Sequence, residues 1–292
     1  MAKSTSPGRT LSGVEAGAVL RAEVAGRVGA LADMGKRVGL ATLLVGNDPA
    51  SEAYVRIKHR KALEAGIRSY DHRLPATAAQ HEVEAFVDEL NRDAEVDAFL
   101  VQLPLPDHLD PAPVLERILP RKDADGLHPH NLGRMVLGLH APRPATPTGI
   151  LRLLDHHDVG TRGARVVVVG RSSLVGRPLS IMLSARGRDA TVMVAHSLTP
   201  DLAVVTRLAD ILVVAAGHPG LIRAEHVKPG AVVIDVGTTR VDSGLVGDVV
   251  FDDVITVAAG VSPVPGGVGP MTIAGLLWNT VMLAEAAIAD GR

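Results

Sequence analysis

The chain has 292 residues, room for two domains of ordinary size, each able to bury its own core. Hydrophobic residues make up 47% and the formal net charge is −2, which leaves no electrostatic footprint for nucleic acid or an anionic membrane and favours an enzyme in free solution. With 0 cysteines, disulfides, thiolate catalysis and thiolate metal sites are excluded together, and a reducing cytoplasmic setting is the simpler expectation.

The opening MAKSTSPGR is polar, and the apolar positions after it are interrupted by Glu15, Arg21, Glu23 and Arg27. Neither a signal-peptide core nor a membrane span is predicted there. Residues 14–31 place apolar side chains at helical spacing and Gly35 follows as a stop, so a lead-in helix is expected. A strand at 38–45, a turn at 46–49 and a helix at 51–65 come next, then a strand at 68–74, a helix at 78–91 and a buried strand at 98–101 that closes on Gln102. This alternation is a βαβαβ half and predicts a parallel sheet. Beyond Pro104 and Pro106, residues 111–118 read as a short helix, and 120–147, rich in Gly, Pro, His and Asn, as loop with a domain boundary at 144–147. A helix at 147–156 leads into a second α/β unit with strands at 165–169, 190–195, 210–215 and 231–236, and an Ala- and Leu-rich helix is predicted over 271–290.

The stretch 165–178, RVVVVGRSSLVGRP, carries the first functional signal. Its four valines are β-branched and too short a run for a helix, so they predict a strand buried on both faces. Gly170 ends the strand and Gly176 precedes an apolar-periodic helix. Strand, tight loop and helix in that order point backbone N–H groups at a phosphate, although the two glycines could equally serve only the sterics of a βα turn. The next strand ends in His196–Ser197 rather than in the carboxylate that a free ribose hydroxyl attracts, and Arg171 follows the first glycine. An arginine beside small donors suits a 2′-phosphate, so NADP is expected over NAD. The fold class expected is therefore two α/β domains, the second a Rossmann-type parallel sheet, with an active-site cleft between them. The boundaries expected are 1–146 for a catalytic domain and 147–271 for a cofactor domain, with helix 272–292 packing back on the first.

Four other side chains stand out. Tyr54 and Lys58 are four apart on a predicted helix and share one face, so they can meet one ligand. Short-chain dehydrogenases also use Tyr-x3-Lys, but after their cofactor loop, whereas this pair precedes Gly170. Gln102, in VQLPLP, leaves the C-terminal end of a buried strand, where open α/β sheets place ligands; it could also be a satisfied amide pinning a loop. Asp125 lies in KDADGLHP, a turn in which Asp is common for local hydrogen bonding alone. Lys122, Asp123, His128 and His130 share that loop without metal-ligand spacing, and no metal is expected. A second Gly-rich loop, PVPGGVGPMT at 263–272, combines stiffness with close backbone approach.

In order along the chain, VGNDPASEAYVRIK, VQLPLP, KDADGLHP, PATPTG, VVVGRSSLVGRP, DVGTTR and PVPGGVGPMT resemble the motifs of the bifunctional methylenetetrahydrofolate dehydrogenase and methenyltetrahydrofolate cyclohydrolase family, over nearly the whole sequence. The resemblance implies oxidation of 5,10-methylenetetrahydrofolate with NADP and hydrolysis of the methenyl product to 10-formyltetrahydrofolate, in one-carbon metabolism. It implies that Lys58 is the catalytic lysine, Gln102 its partner, that Tyr54 orients the folate ring, and that Asp125 holds the pterin. Val101 and Leu103 would contact substrate beside Gln102, and Pro265, Gly266, Gly267, Val268, Gly269, Pro270, Met271 and Thr272 would flank it. Gly170, Arg171, Ser172, Ser197 and Thr238 would touch NADP. It further implies a homodimer formed through the cofactor domain. The sequence departs from the family where Ala145 and Ala195 replace a frequent Cys and Thr238 a frequent Ile. A shikimate-type two-domain dehydrogenase, or a catalytically silent NADP- or folate-binding regulator, are the competing readings; neither accounts for the full set of motifs.

Overall fold

The computed structural model describes residues 8–242 and 244–291; the polar residues 1–7 that head the chain lie outside the described residues. A two-residue strand, β1 (Arg9–Thr10), precedes the lead-in helix α1 (Gly13–Asp33). β2 (Gly39–Val45) is buried at every position and turns through Gly46, at φ +88°, into α2 (Pro49–Glu64). The start of α2 is fixed by Pro49 in the first turn and by Asp48, whose carboxylate accepts from the Ser51 N–H at 2.8 Å. β3 (Arg68–Leu74), α3 (Gln80–Arg92), β4 (Ala98–Val101) and the short α4 (Pro111–Arg117) follow.

The stretch 120–147, expected as loop, contains a helix, α5 (Pro129–Val136). Its composition conceals a legitimate start: Pro129 occupies the first turn, and the His128 ring accepts from the His130 N–H at 3.0 Å. The linking helix, α6 (Ala145–His156), begins two residues before its predicted start. Then β5 (Arg165–Val169), α7 (Gly176–Ser184), β6 (Thr191–Ala195), α8 (Leu202–Thr206), β7 (Ile211–Val214) and β8 (Val232–Asp235) alternate. A hairpin of β9 (Thr239–Val241) and β10 (Gly244–Val246), a turn of helix α9 (Phe251–Val254), β11 (Gly260–Val261) and the long α10 (Val268–Ala289) complete the order.

The chain gathers into two units. One joins Val19–Ala145 to Ile273–Arg292; the other joins the described residues up to Ala18 to Thr146–Thr272. The expected boundary of 1–146 thus misplaces residues 8–18, because β1 pairs in parallel with β11 and Leu11 N–H donates to the Val261 carbonyl at 2.9 Å. A two-residue strand carries no periodicity from which this pairing could be read.

In the first of these units, β3, β2 and β4 form a parallel sheet in that order. Alternate residues of β2 serve opposite faces: Leu40 packs with Val24, Val28, Leu276 and Leu277, whereas Ala41 and Leu43 pack with Val83, Val87 and Phe99. α10 is long and apolar enough by length and composition to cross a membrane, yet 61% of its most apolar window is buried inside the protein, as in a core helix. The second unit holds a six-stranded parallel sheet in the order β1-β11-β8-β7-β5-β6. β5 lies between β6 and β7, so the chain reverses direction across the sheet there, which is the switch point at which doubly wound sheets bind ligands.

Candidate active site

Lys58 is a buried amine in the unit formed by Val19–Ala145 and Ile273–Arg292. It lies one turn after Tyr54 on α2 and is only 5% exposed. Its ammonium sits 4.8 Å from the Tyr54 ring centroid and donates to Gln102 Oε1 at 3.1 Å. Gln102 follows β4 directly, and its own amide donates to the Leu103 carbonyl at 2.6 Å, which fixes which end of the amide faces Lys58. The oxygen is therefore the acceptor, and it orients the amine. Val101 is buried in the core beneath Gln102, and Leu103 is partly buried beside it. Burial holds the Lys58 amine below the usual lysine range, while the Asp125 charge works in the opposite sense. Burial raises the half-buried Asp125 carboxyl; Lys58 lowers it and Asp123 raises it again. An amine and a carboxyl are thus both biased toward their neutral forms and coupled to each other.

The loop that carries Asp125 is built by a residue that the spacing did not single out for a role. Asp123 is 3% exposed and accepts from the Gly126 N–H at 3.0 Å, the His128 N–H at 2.8 Å and Asn131 Nδ2 at 2.9 Å. Asn279, on α10, donates to the Ala124 and Arg143 carbonyls at 2.9 and 2.8 Å. These two side chains clamp the backbone on both sides of Asp125. The D-x-x-G spacing was the available signal for Asp123, whereas nothing local marks Asn279. Among the described residues, no group of three or more His, Asp or Glu side chains is placed to hold a metal ion.

In the other unit, the strands of the parallel sheet bring their carboxyl ends to one edge. Gly170, at φ +124°, follows β5; a Cβ there would meet the Ala215 carbonyl, and one on Gly176 would meet the Gly170 carbonyl. The glycines thus have a steric duty inside the turn as well as leaving the loop backbone bare. Gly170 N–H donates to the Ala195 carbonyl at 2.8 Å, tying the end of β5 to the end of β6. Arg171 and Ser172 are exposed after β5, Ser197 after β6 and Thr238 after β8. Cation, hydroxyls and small residues without a carboxylate after β6 fit a phosphorylated dinucleotide.

The loop 263–267 leads into α10. Its Val264–Pro265 bond is cis, Gly266 has φ +103°, and its carbonyl accepts from the Gly13 N–H at 2.9 Å. A Cβ on Gly267 would lie 2.5 Å from the Pro263 carbonyl oxygen. Pro265 is exposed and Gly266 half-buried, while Gly267, Val268 and Met271 are buried; Gly269 and Pro270 are half-buried, and Thr272 Oγ1 donates to Thr146 Oγ1 at 3.0 Å.

Comparison with known proteins decides the family. A model described as the tetrahydrofolate dehydrogenase/cyclohydrolase catalytic domain matches residues 11–125, and one described as the NAD(P)-binding domain of the same family matches 144–288. The bifunctional protein FolD of Nitratidesulfovibrio vulgaris (strain Miyazaki F) is 55% identical over 93% of this chain and 96% of its own. The chain belongs to the tetrahydrofolate dehydrogenase/cyclohydrolase family. Among solved structures, the bifunctional FolD enzyme of Campylobacter jejuni superposes with a TM-score of 0.92 at 43% identity, covering 95% of this chain and 98% of that one. The Trypanosoma brucei enzyme, solved with NADP and an inhibitor, gives 0.92 at 39%, covering 97% and 99%. Shikimate 5-dehydrogenase from Thermus thermophilus, at 14% identity and a TM-score of 0.51, shares the fold alone.

For a tetrahydrofolate dehydrogenase/cyclohydrolase, the sequence-predicted residues fall into two groups. Tyr54, Lys58, Gln102 and Asp125 come together in one unit around the Lys58 amine. Gly170, Arg171, Ser172, Ser197 and Thr238 line the carboxyl edge of the sheet in the other.

Proposed function

We propose that this enzyme divides its two reactions between alignment and proton transfer, and that Lys58 serves the second. The supporting observation is a buried amine held by Gln102 Oε1 at 3.1 Å beside an aromatic ring and a carboxyl. Oxidation of 5,10-methylenetetrahydrofolate removes a hydride from a carbon flanked by two nitrogens, which stabilise the resulting cation, so no base is needed. NADP, when bound, accepts that hydride. Gly170, Arg171, Ser172, Ser197 and Thr238 would hold it, with Arg171 on the 2′-phosphate; Tyr54 and Asp125 would hold the folate ring, with Val101, Leu103 and residues 265–272 as further substrate contacts.

Hydrolysis of the methenyl cation does require proton movement. Water adds to the methenyl carbon while neutral Lys58 accepts its proton. The carbinolamine then collapses with cleavage of the bond to N5, and N5 takes a proton as 10-formyltetrahydrofolate forms. One proton is released overall. Gln102 keeps the lysine lone pair aimed by accepting one of its hydrogens, and desolvation makes the neutral amine accessible nearer neutral pH. Replacing Lys58 with Met should lower cyclohydrolase turnover by about 10²–10⁴-fold. Methenyl product would then accumulate in its absorbance band when methylenetetrahydrofolate and NADP are supplied. Undiminished hydrolysis in that variant would remove Lys58 from the mechanism.

Two copies are proposed to associate through the cofactor unit. β6 is the edge strand of its sheet, Val194 on it is 42% exposed, and Leu198 just beyond it is 77% exposed. A cytoplasmic location is proposed on the lack of cysteines in the sequence.

A further inference from the structure

The cofactor unit contains two buried carboxyls that neither reaction uses. Asp235, the last residue of β8, is 3% exposed and Asp248 is 0% exposed. Asp235 Oδ1 accepts from the Gly237 and Asp248 N–H groups, both at 3.0 Å, and its Oδ2 from the Val249 N–H at 3.0 Å. Asp248 Oδ2 accepts from the Ala216 N–H at 2.7 Å and the Gly217 N–H at 2.9 Å. Ser262 Oγ accepts from the Asp235 N–H at 2.8 Å and so ties the same node to the residue preceding Pro263. A Cβ on Gly237 would collide with the Asp248 carboxyl, and one on Gly247 with the Asp235 carboxyl.

The loops so held are those on one half of the sheet's carboxyl edge. Ala216 and Gly217 follow β7 and are exposed; Gly237 follows β8 and presents the exposed Thr238. In a doubly wound sheet the half containing β5 and β6 takes the adenosine and its 2′-substituent, which leaves the half containing β7, β8 and β11 for the nicotinamide end. We propose that Asp235 and Asp248 are positioning residues that hold the nicotinamide-side loops from beneath, Asp248 fixing Ala216–Gly217 and Asp235 the turn before Thr238. The proposal rests on the dehydrogenase reading above and deepens it.

The energetics support a functional reason for the pair. Asp248 Oδ1 has no hydrogen-bond partner among the described residues, and burial, reinforced by Asp248, pushes the Asp235 carboxyl up to about 7. A half-satisfied pair of neighbouring carboxyls costs stability that apolar residues would not, and such costs persist where geometry elsewhere depends on them.

The test compares Asp248→Ala with Asp248→Asn in the full-length enzyme. Cyclohydrolase turnover is assayed on methenyltetrahydrofolate without nicotinamide, the KM for NADP in the dehydrogenase assay, and NADP affinity by titration calorimetry. Asp248→Ala removes both acceptor bonds, and we expect it to raise the KM and Kd for NADP roughly tenfold or more, with cyclohydrolase KM and kcat within about twofold of the parent. Asp248→Asn keeps an oxygen for both N–H groups and should return NADP affinity to within about threefold. Parallel loss of both activities, unchanged NADP affinity in the alanine variant, or an asparagine variant as impaired as the alanine one would each overturn the proposal. Failure of the parent enzyme to oxidise methylenetetrahydrofolate would instead count against the functional reading, and the calorimetric comparison would still judge the loops.

Discussion

At the residue scale Lys58 is the proposed base, and its coupling to Asp125 makes a signed prediction. The carboxylate stabilises the ammonium, so it holds the amine's pKa up against the larger, opposite effect of burial. Replacing Asp125 with Asn removes that support. The acidic limb of the cyclohydrolase kcat profile, along which turnover rises as Lys58 loses its proton, should therefore shift to lower pH even as folate binding weakens. A limb that stays in place at saturating substrate would mean that Lys58 is not the titrating base. Arg171 offers a second prediction. Its replacement with Ala should raise the KM for NADP much more than that for NAD, since only NADP carries the 2′-phosphate, and steady-state kinetics with each cofactor would register the difference. All three residues drew attention in the sequence for physical reasons: Tyr54 and Lys58 through the i, i+4 face they share, and Arg171 through its place just after a strand of four valines. Asp235 and Asp248 did not stand out, because their hydrogen-bond partners are backbone N–H groups that carry no sequence mark, and for Asp123 only the D-x-x-G spacing offered a signal.

At the element scale, the strongly patterned segments were readable and the short or polar ones were not. β5 announced itself by β-branched residues, and β4 by an apolar run closing on Gln102. α5 did not, because Pro, His, Asn and Gly dominate its surroundings and its order comes from long-range anchors, including the Asn131 amide donating to Asp123 and to the Pro120 carbonyl at 2.9 Å each. α10 matters beyond the apolar surface it buries, since Asn279 projects from it to the Ala124 and Arg143 carbonyls. Changing Asn279 to Ala leaves the buried Ala124 carbonyl orphaned, which should cost about 1–3 kcal/mol, and removes a part-buried bond to the Arg143 carbonyl, which should cost less. Urea unfolding would show the loss, and loosening of the segment that carries Asp125 should lower cyclohydrolase activity as well. Unfolding midpoints indistinguishable from the parent's would show that this clamp contributes nothing.

At the scale of the whole molecule, two α/β units and a parallel sheet were foreseeable from the alternation of elements, whereas the contribution of residues 8–18 to the cofactor unit was not, because β1 gains its partner only from β11. The exposed edge at β6 carries the remaining prediction. A lysine at Val194 places a charge on an edge strand proposed to face its counterpart, and should convert a dimer of about twice the chain mass into a monomer in light scattering, with cyclohydrolase activity retained. A mass of one chain for the parent would dismiss the dimer altogether.

The unit that holds Lys58 is assembled from Val19–Ala145 and Ile273–Arg292, with the whole of Thr146–Thr272 intervening. During synthesis, its sheet leaves the ribosome long before the helix that supplies Leu276, Leu277 and Val281 to cover one face. The intervening unit has all its strands available once residue 261 has emerged. A nascent chain can therefore acquire its nucleotide-binding half first, while the half bearing Lys58 waits with apolar surface uncovered until α10 has emerged.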